Sequence, residues 1–257
     1  SSKIDPQKNR KAALKALKQA ARLKQENHRI WDNLLTVAAS LSPPSYTDIL
    51  TAQTRIIDLR GSIDGEKCVD LPILSALVNH IITTTEAPKG DDLFPPGLAK
   101  MTVQVVEKKV VPLITASAPL WQLVAKLALW RDRPSSALEA NEKAWRVVTG
   151  QPGWEHDTEA RWDEVVDATV ELVGAYESLG ARTKTEGLGA GDAVSALLLS
   201  IAVMCRHVLT IRQLVAKDWK FKARTAVRGI KGRGKDSWEG TSGWDRLDAA
   251  LEELKSS

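Results

Sequence analysis

The sequence predicts an all-α protein of stacked helix pairs, with a long amphipathic helix toward its C-terminus. Three observations carry this. Apolar residues recur at three- and four-residue steps along most of the 257-residue chain, the period of a helix with one buried face. No segment reads as a strand with turns at both ends, which argues against a βαβ architecture and the nucleotide-binding folds built on it. Two tryptophan-centred patterns also recur in mutual register, and they set how the helices should pair.

Ala13, Leu17 and Ala20 stand four and three residues apart and so share one helical face. Eighteen residues after Ala13, Trp31 opens the pattern Trp31-x2-Leu34-Leu35-x2-Ala38. A second copy reads Trp121-x2-Val124-Ala125-x2-Ala128, with Ala137 sixteen residues after the tryptophan and Ala144 seven later. These are the marks of first and second tetratricopeptide helices, and eighteen with sixteen residues make the 34-residue period of that repeat. The predicted architecture is therefore a tetratricopeptide-like helical-repeat solenoid. Small Ala13, Ala20, Ala137 and Ala144 let helices approach closely, while Trp31 and Trp121 fill the grooves between pairs and should be largely buried. The motif is degenerate: Leu35 and Ala125 stand for the usual glycine, Ala38 and Ala128 for the usual tyrosine. After Pro43-Pro44 the aligned small position falls at Ile49, two residues late.

The elements follow in order. Residues 1–8 read as a frayed polar end. Asn9 to Lys24 is rich in strong helix formers, and a turn at Gln25-Glu26-Asn27 leads into the Trp31 helix. Pro43-Pro44 ends it, and Ser45 caps a helix that stops at Gly61. Asp70-Leu71-Pro72 starts the next, with Leu74, Leu77, Val78, Ile81 and Ile82 as its stripe. Thr83 to Pro96 reads as a loop. Helix resumes near Gly97 with Leu98, Met101, Val105 and Val106 inward, until Pro112 kinks or divides it. Pro119 and Pro134 mark the first turns of the Trp121 helix and its partner. Thr158 to Leu179 buries Trp162, Val165, Val166, Thr169, Leu172, Val173 and Tyr176, and Gly180 ends it. Lys184 to Gly189 is a linker to a long helix from about Asp192, apolar nearly all round. Five glycines from Gly229 to Gly243 predict an irregular stretch, before a short helix from Trp244 to Leu254. Residues 1–180 thus form the repeat domain, and residues 181–257 a helical extension with a basic, irregular tail.

Composition narrows the function classes. Hydrophobic content of 43% and charged content of 26% are those of a soluble globular protein. No apolar run approaches the ~20 residues of a membrane span, so no membrane partner is expected. Cys68 and Cys205 stand far apart, which suits a reducing compartment. That places the chain in the cytoplasm, with the nucleus as a second compartment. The nine tryptophans, against two phenylalanines and two tyrosines, read as inter-helix packing rather than ligand stacking. The chain opens on a second helix, so we expect a piece of a longer protein whose preceding part covers an apolar face of the first helix.

Catalytic chemistry finds no constellation. His28, His80, His156 and His207 stand singly, without the spacing of a triad or a metal site; no cofactor, no metal and no enzymatic activity are expected. Gly187-Leu188-Gly189-Ala190-Gly191 lacks the strand and lysine of a phosphate loop. Cys205, in the most apolar stretch, reads as a buried small hydrophobe. Asp157, Glu159, Asp163, Glu164 and Asp167 read as a solvated helix face. The sharpest local feature is basic: Lys217, Lys220, Lys222, Arg224, Arg228, Lys231, Arg233 and Lys235 against the single acid Asp218, interleaved with Trp219 and Phe221. Such a segment can hold phosphates and stack bases, so weak nucleic-acid binding is the alternative to a helix end whose cations suit the dipole.

Three strings resemble a known family. Arg29-Ile30-Trp31-Asp32-Asn33, Arg55-Ile56-Ile57-Asp58-Leu59-Arg60 and Leu120-Trp121-Gln122-Leu123 look like the C-terminal part of the tetratricopeptide repeat protein 27 family. Its fungal member is named for maintenance of the cell wall. The resemblance covers about residues 10–180 and departs at Pro43-Pro44 and in the glycine-bearing tail. It implies a scaffold or adaptor that binds other proteins, with links to Hsp90-associated assembly of the U5 spliceosomal particle and to cell-wall integrity. Tetratricopeptide proteins that grip the Hsp90 carboxylate use Lys, Arg and Asn across successive first helices. Arg29, Asn33 and Lys126 stand at positions of that kind, although the clamp is incomplete. The sequence therefore predicts a non-enzymatic protein-binding scaffold, with an RNA- or ribonucleoprotein-binding module at 217–235 as the alternative.

Overall fold

The computed structural model describes residues 6–85, 97–189 and 219–256. Among them every regular element is helical, as the periodicity requires. The chain divides into two compact units, Ser1–Asp132 and Arg133–Ser257.

Unit 1 holds α1 (Pro6–Leu23), α2 (His28–Ala39), α3 (Tyr46–Asp64), α4 (Leu71–Thr84), α5 (Leu98–Val105) and α6 (Ala118–Trp130). α3 is the hub, packing on α2, α4 and α5. α2 starts at Asn27, whose side chain accepts the Arg29 N–H. Asp70 caps α4 by accepting the Ile73 N–H at 3.0 Å, and Leu74, Leu77, Val78 and Ile81 are buried, as read from the sequence.

Three details differ. The inward row of α1 is buried Leu14 and Ala21 with half-buried Leu17, while Ala13 is exposed. The large side chain at 14 wins the inward position over the alanine beside it, because it removes far more apolar area from water. α3 runs through Gly61 to Asp64. A Cβ at Gly61 would lie 3.2 Å from the Leu113 side chain, so this glycine marks a close approach, not a helix stop. In α5 the inward row is Ala99, Thr102 and Val103, with Met101 exposed. Small Ala99, and Thr102 with its hydroxyl donating to the Leu98 carbonyl at 2.9 Å, let the helix sit close to α3. Beyond Val105 the backbone widens into a π turn and then tightens at Pro112, the expected interruption. Of the expected loop, Thr83 and Thr84 belong to α4, while residues 86–96 lie outside the described residues.

Polar side chains lock the turns of unit 1. Gln53, almost fully buried, donates to the Cys68 carbonyl at 3.0 Å and accepts the Asp70 N–H at 3.1 Å. Glu66 accepts the backbone N–H groups of Thr115, Ala116 and Ser117 at 2.8–3.2 Å, tying the start of α6 to the turn after α3. Ser117 then caps α6.

Unit 2 holds α7 (Pro134–Thr149), α8 (Glu159–Gly189), α9 (Trp219–Trp238) and α10 (Ser242–Ser256). α8 packs on α7 and on both C-terminal helices. Its buried face is the predicted one: Trp162, Val165, Val166, Thr169, Leu172, Val173 and Tyr176. Two expectations fail here. Gly180 does not end the helix, which continues through the expected linker to Gly189, and the supposedly irregular, glycine-bearing tail is helical from Trp219 to Trp238. The cause is tertiary. A Cβ at Gly180 would sit 2.2 Å from the Trp219 indole, one at Gly234 would sit 2.7 Å from Trp162, and one at Gly243 would sit 2.5 Å from Trp162. These glycines are notches that admit tryptophans, and packing overrides the roughly 1 kcal/mol propensity cost of each helical glycine. The long helix expected from Asp192, with Cys205 and His207, lies outside the described residues.

Candidate functional site

The candidate protein-binding residues sit on helix surfaces of unit 1. Arg29 and Asn33 are exposed one turn apart on α2, and so present one face. That face is fixed by its neighbours. The Trp31 indole N–H donates to the Gln25 carbonyl at 2.8 Å, and Arg55 of α3 pairs with Glu26 at 2.6 Å, so the turn entering α2 is pinned from two sides. Lys126 is exposed on α6. α2 packs on α1 and α3, whereas α6 packs on α4; the three residues therefore belong to different helix layers rather than one cluster.

Of the repeat residues, Leu34, Ala137 and Ala144 are buried, while Leu17, Ala20 and Val124 are half-buried. Trp31 and Trp121 are half-buried at the margin of the unit 1 core. They are less buried than the largely buried positions expected, because each ring lies over the edge of the aliphatic cluster. The most deeply buried tryptophans are Trp154 and Trp162 in unit 2. Trp154, Trp162 and Trp238 form a stack with ring centroids 6.0 and 5.7 Å apart. Arg233 lies over Trp154 at 4.6 Å and pairs with Glu155 at 3.6 Å. The Trp238 indole donates to the Glu155 carbonyl at 2.7 Å. This stack is core, consistent with tryptophan as packing rather than ligand platform.

The basic segment is dispersed around α9. Lys217 lies outside the described residues. Arg224 turns inward and donates to the Leu254 carbonyl at 2.7 Å. Lys231 pairs with Asp248 and lies 4.2 Å from the Trp244 ring centroid. Arg233 is held by Trp154 and Glu155, and Lys220 lies over Trp219 at 5.7 Å. Lys222, Arg228 and Lys235 point to solvent. At 100° per residue Lys222 lies well away from the other two, so the outward cations form no single groove. Trp219 is buried and Phe221 is 69% exposed, which leaves no pair of rings for one base.

Several of the candidates for chemistry make contacts within the fold. His80 stacks on Tyr46 at 3.9 Å, and His156 Nδ1 meets the Ser237 hydroxyl at 2.6 Å. Of the acidic run, Glu164 pairs with Arg161 and Asp167 with Arg246. The Cys68 thiol donates to the Gly65 carbonyl at 3.0 Å. Burial, then nearby Asp64, pushes its pKa up, the opposite of a reactive thiolate. Tyr176 donates to Glu142 at 3.1 Å; burial and that carboxylate raise its pKa. No described helix is long and apolar enough to cross a membrane.

Comparison with known proteins adds the following. No family model matches the chain, and no solved structure matches it. It is 34% identical over 232 residues, 90% of its length, to "Essential for maintenance of the cell wall protein 1" of Saccharomyces cerevisiae. It is 32% identical over 240 residues, 93% of its length, to a TPR repeat-containing protein of Schizosaccharomyces pombe. The chain spans only 22% and 25% of those two relatives. Over nine-tenths of its length this chain, whose regular elements are helical among the described residues, is a homologue of one segment of these fungal cell-wall-maintenance and TPR repeat-containing proteins.

Proposed function

We propose that the chain is a non-enzymatic helical-repeat scaffold that binds other proteins. Two features support this: kinship with a TPR repeat-containing protein, and the pinned outer face of α2 bearing Arg29 and Asn33. Stacked helices present extended polar faces, which suit a peptide or a protein surface better than a small substrate. The observation that carries the choice over RNA is the state of the basic segment. Arg224, Lys231 and Arg233 are committed to contacts inside unit 2, leaving Lys220, Lys222, Arg228 and Lys235 among the described residues for phosphates.

The finer reading extends the same idea. The scaffold serves assembly of other proteins, with Hsp90-associated machinery and its clients as partners, in the cytoplasm and the nucleus. Quantitative capture from cell extract, with and without nuclease, tests it. Proteins should be recovered equally in both conditions, and recovery should fall for Arg29→Glu with Asn33→Ala. Recovery that disappears with nuclease, or sub-micromolar RNA binding abolished by Lys222→Glu, Arg228→Glu and Lys235→Glu, would favour the ribonucleoprotein alternative.

A further inference from the structure

α8, α9 and α10 pack on one another as a bundle whose two ends are built differently. Gly234 meets Trp162 and Gly180 meets Trp219, so α8 and α9 run antiparallel. Gly243 meets Trp162 and Arg246 pairs with Asp167, so α10 runs in the direction of α8. One end holds the tryptophan stack. The other gathers Glu177 of α8, Lys220 and Arg224 of α9, and Glu253 and Leu254 in the last turn of α10. There Arg224 donates to the Leu254 carbonyl at 2.7 Å, which satisfies an acceptor that a helix end leaves open. The rest of the corner is incomplete. Glu177 is half-buried, but its Oε1 and the Nε of Arg224 are both enclosed and lack a hydrogen-bond partner. A carboxylate oxygen enclosed without a donor costs free energy. Burial, then the like charge of Glu253, raises the Glu177 pKa, and Lys220 offsets part of this. α7, on another side of α8, offers the carboxylate Glu142, which is engaged by Tyr176 and Arg146.

We propose that this end of the bundle is a proton-sensitive latch on α10, slack while the Glu177 carboxyl is ionised and tightened when it takes up a proton. The sign follows from linkage. A carboxyl that holds its proton more firmly in the folded chain than in the unfolded one adds stability as pH falls. The cost of the enclosed charge is present in full above the folded pKa and is relieved as pH falls through it toward the ordinary 4.5. The response is local, because a helix can open at less than the cost of global unfolding. What holds the last turn of α10 is the fully buried Leu254 and the bond from Arg224, and both adjoin Glu177. Slackening the latch uncovers Leu254 and frees the Arg224 guanidinium. The device operates whichever partner the protein binds.

Hydrogen–deuterium exchange of the 257-residue chain tests the latch at about pH 5 and about pH 7.5, with rates corrected for the intrinsic pH dependence of amide exchange. Amides in the last turns of α10 should be better protected at the acidic value, and those of α4, in the other unit, should not share the gain. Glu177→Gln keeps the side-chain shape and removes the charge. It should abolish the difference, leaving α10 as well protected at neutral pH as the parent is in acid. Glu177→Leu should do the same and serves if the glutamine variant fails to fold. NMR titration of the Glu177 carboxyl needs no substitution and should show an inflection above 4.5 in the parent chain. An inflection at or below that value overturns the proposal. So does a pH response of α10 that survives Glu177→Gln, or protection that falls toward acid. Equal responses in α10 and α4 also overturn it, because they report the whole protein rather than one corner of the bundle.

Discussion

The two units hold their helices together by different means. Unit 1 has an aliphatic core of Leu, Ile and Val, with Trp31, Trp121 and Trp130 at its margin. Its turns are fixed by side chains that bond backbone groups: Gln53 across the turn after α3, and Glu66 across the start of α6. Unit 2 contains the other six tryptophans, and it closes by shape, with Trp162 and Trp219 lodged where Gly180, Gly234 and Gly243 lack a side chain. A glycine in a helix weakens it locally, yet here it permits contact that a methyl group would block. Unit 1 should therefore be sensitive to loss of polar atoms, and unit 2 to changes of volume.

The largest expected effect is in unit 2. Trp162 is fully buried and touches Trp154, Trp238 and two glycine notches. Trp162→Ala should cost about 3–5 kcal/mol, read as a lower urea midpoint together with loss of the near-ultraviolet signal. Trp121→Ala, at a half-buried margin, should cost clearly less; equal losses would erase the distinction between the units. In unit 1, Glu66→Ala should cost about 1–3 kcal/mol, because three backbone donors lose one carboxylate. Denaturation of that variant should report it, and an unchanged midpoint would show that water replaces the carboxylate without penalty.

A pH dependence comes next. Burial and Glu142 raise the Tyr176 pKa above its ordinary 10.0. The unfolded chain therefore releases this proton first as pH rises, and the stability it contributes is present below pH 10 and lost above it. Tyr176→Phe should flatten the alkaline loss of melting temperature; an identical alkaline slope would remove the tyrosine from the explanation. The smallest effect is Gly232→Ala. No atom lies within 4 Å of its would-be Cβ, so alanine should stabilise α9 by about 0.5–1 kcal/mol.

The sequence made the helices legible wherever one face was apolar by a wide margin. Leu74, Leu77, Val78 and Ile81, or the α8 row from Trp162 to Tyr176, admit one orientation only. The cap at Asp70 read equally well, because its chemistry is local, whereas Ser45 stands at the start of α3 without a capping bond from its side chain. Legibility failed where neighbours in space decide. Ala13 and Leu14 are both apolar, and only the packing of α1 shows which is inside. Gly180 and Gly234 carry the local signal of a helix break, which distant tryptophans override. The proposed binding surface was legible in part. Arg29 and Asn33 share a face as spacing requires, but the fate of each cation in 220–235 depended on Asp248, Trp154 and the end of α10.

The glycine notch is tested most directly by a double-mutant cycle between Gly234 and Trp162. The would-be Cβ of residue 234 lies 2.7 and 2.9 Å from Cζ3 and Cη2 of Trp162, atoms that Trp162→Phe removes. In the parent chain Gly234→Ala should destabilise by about 1–3 kcal/mol through overpacking. In the Trp162→Phe background the same change should cost nearly nothing, so the two substitutions couple strongly. Unfolding measured for all four proteins decides the matter. An equal cost of Gly234→Ala in both backgrounds would mean that the glycine is not a notch for this tryptophan, and that the helical tail of unit 2 is held by something else.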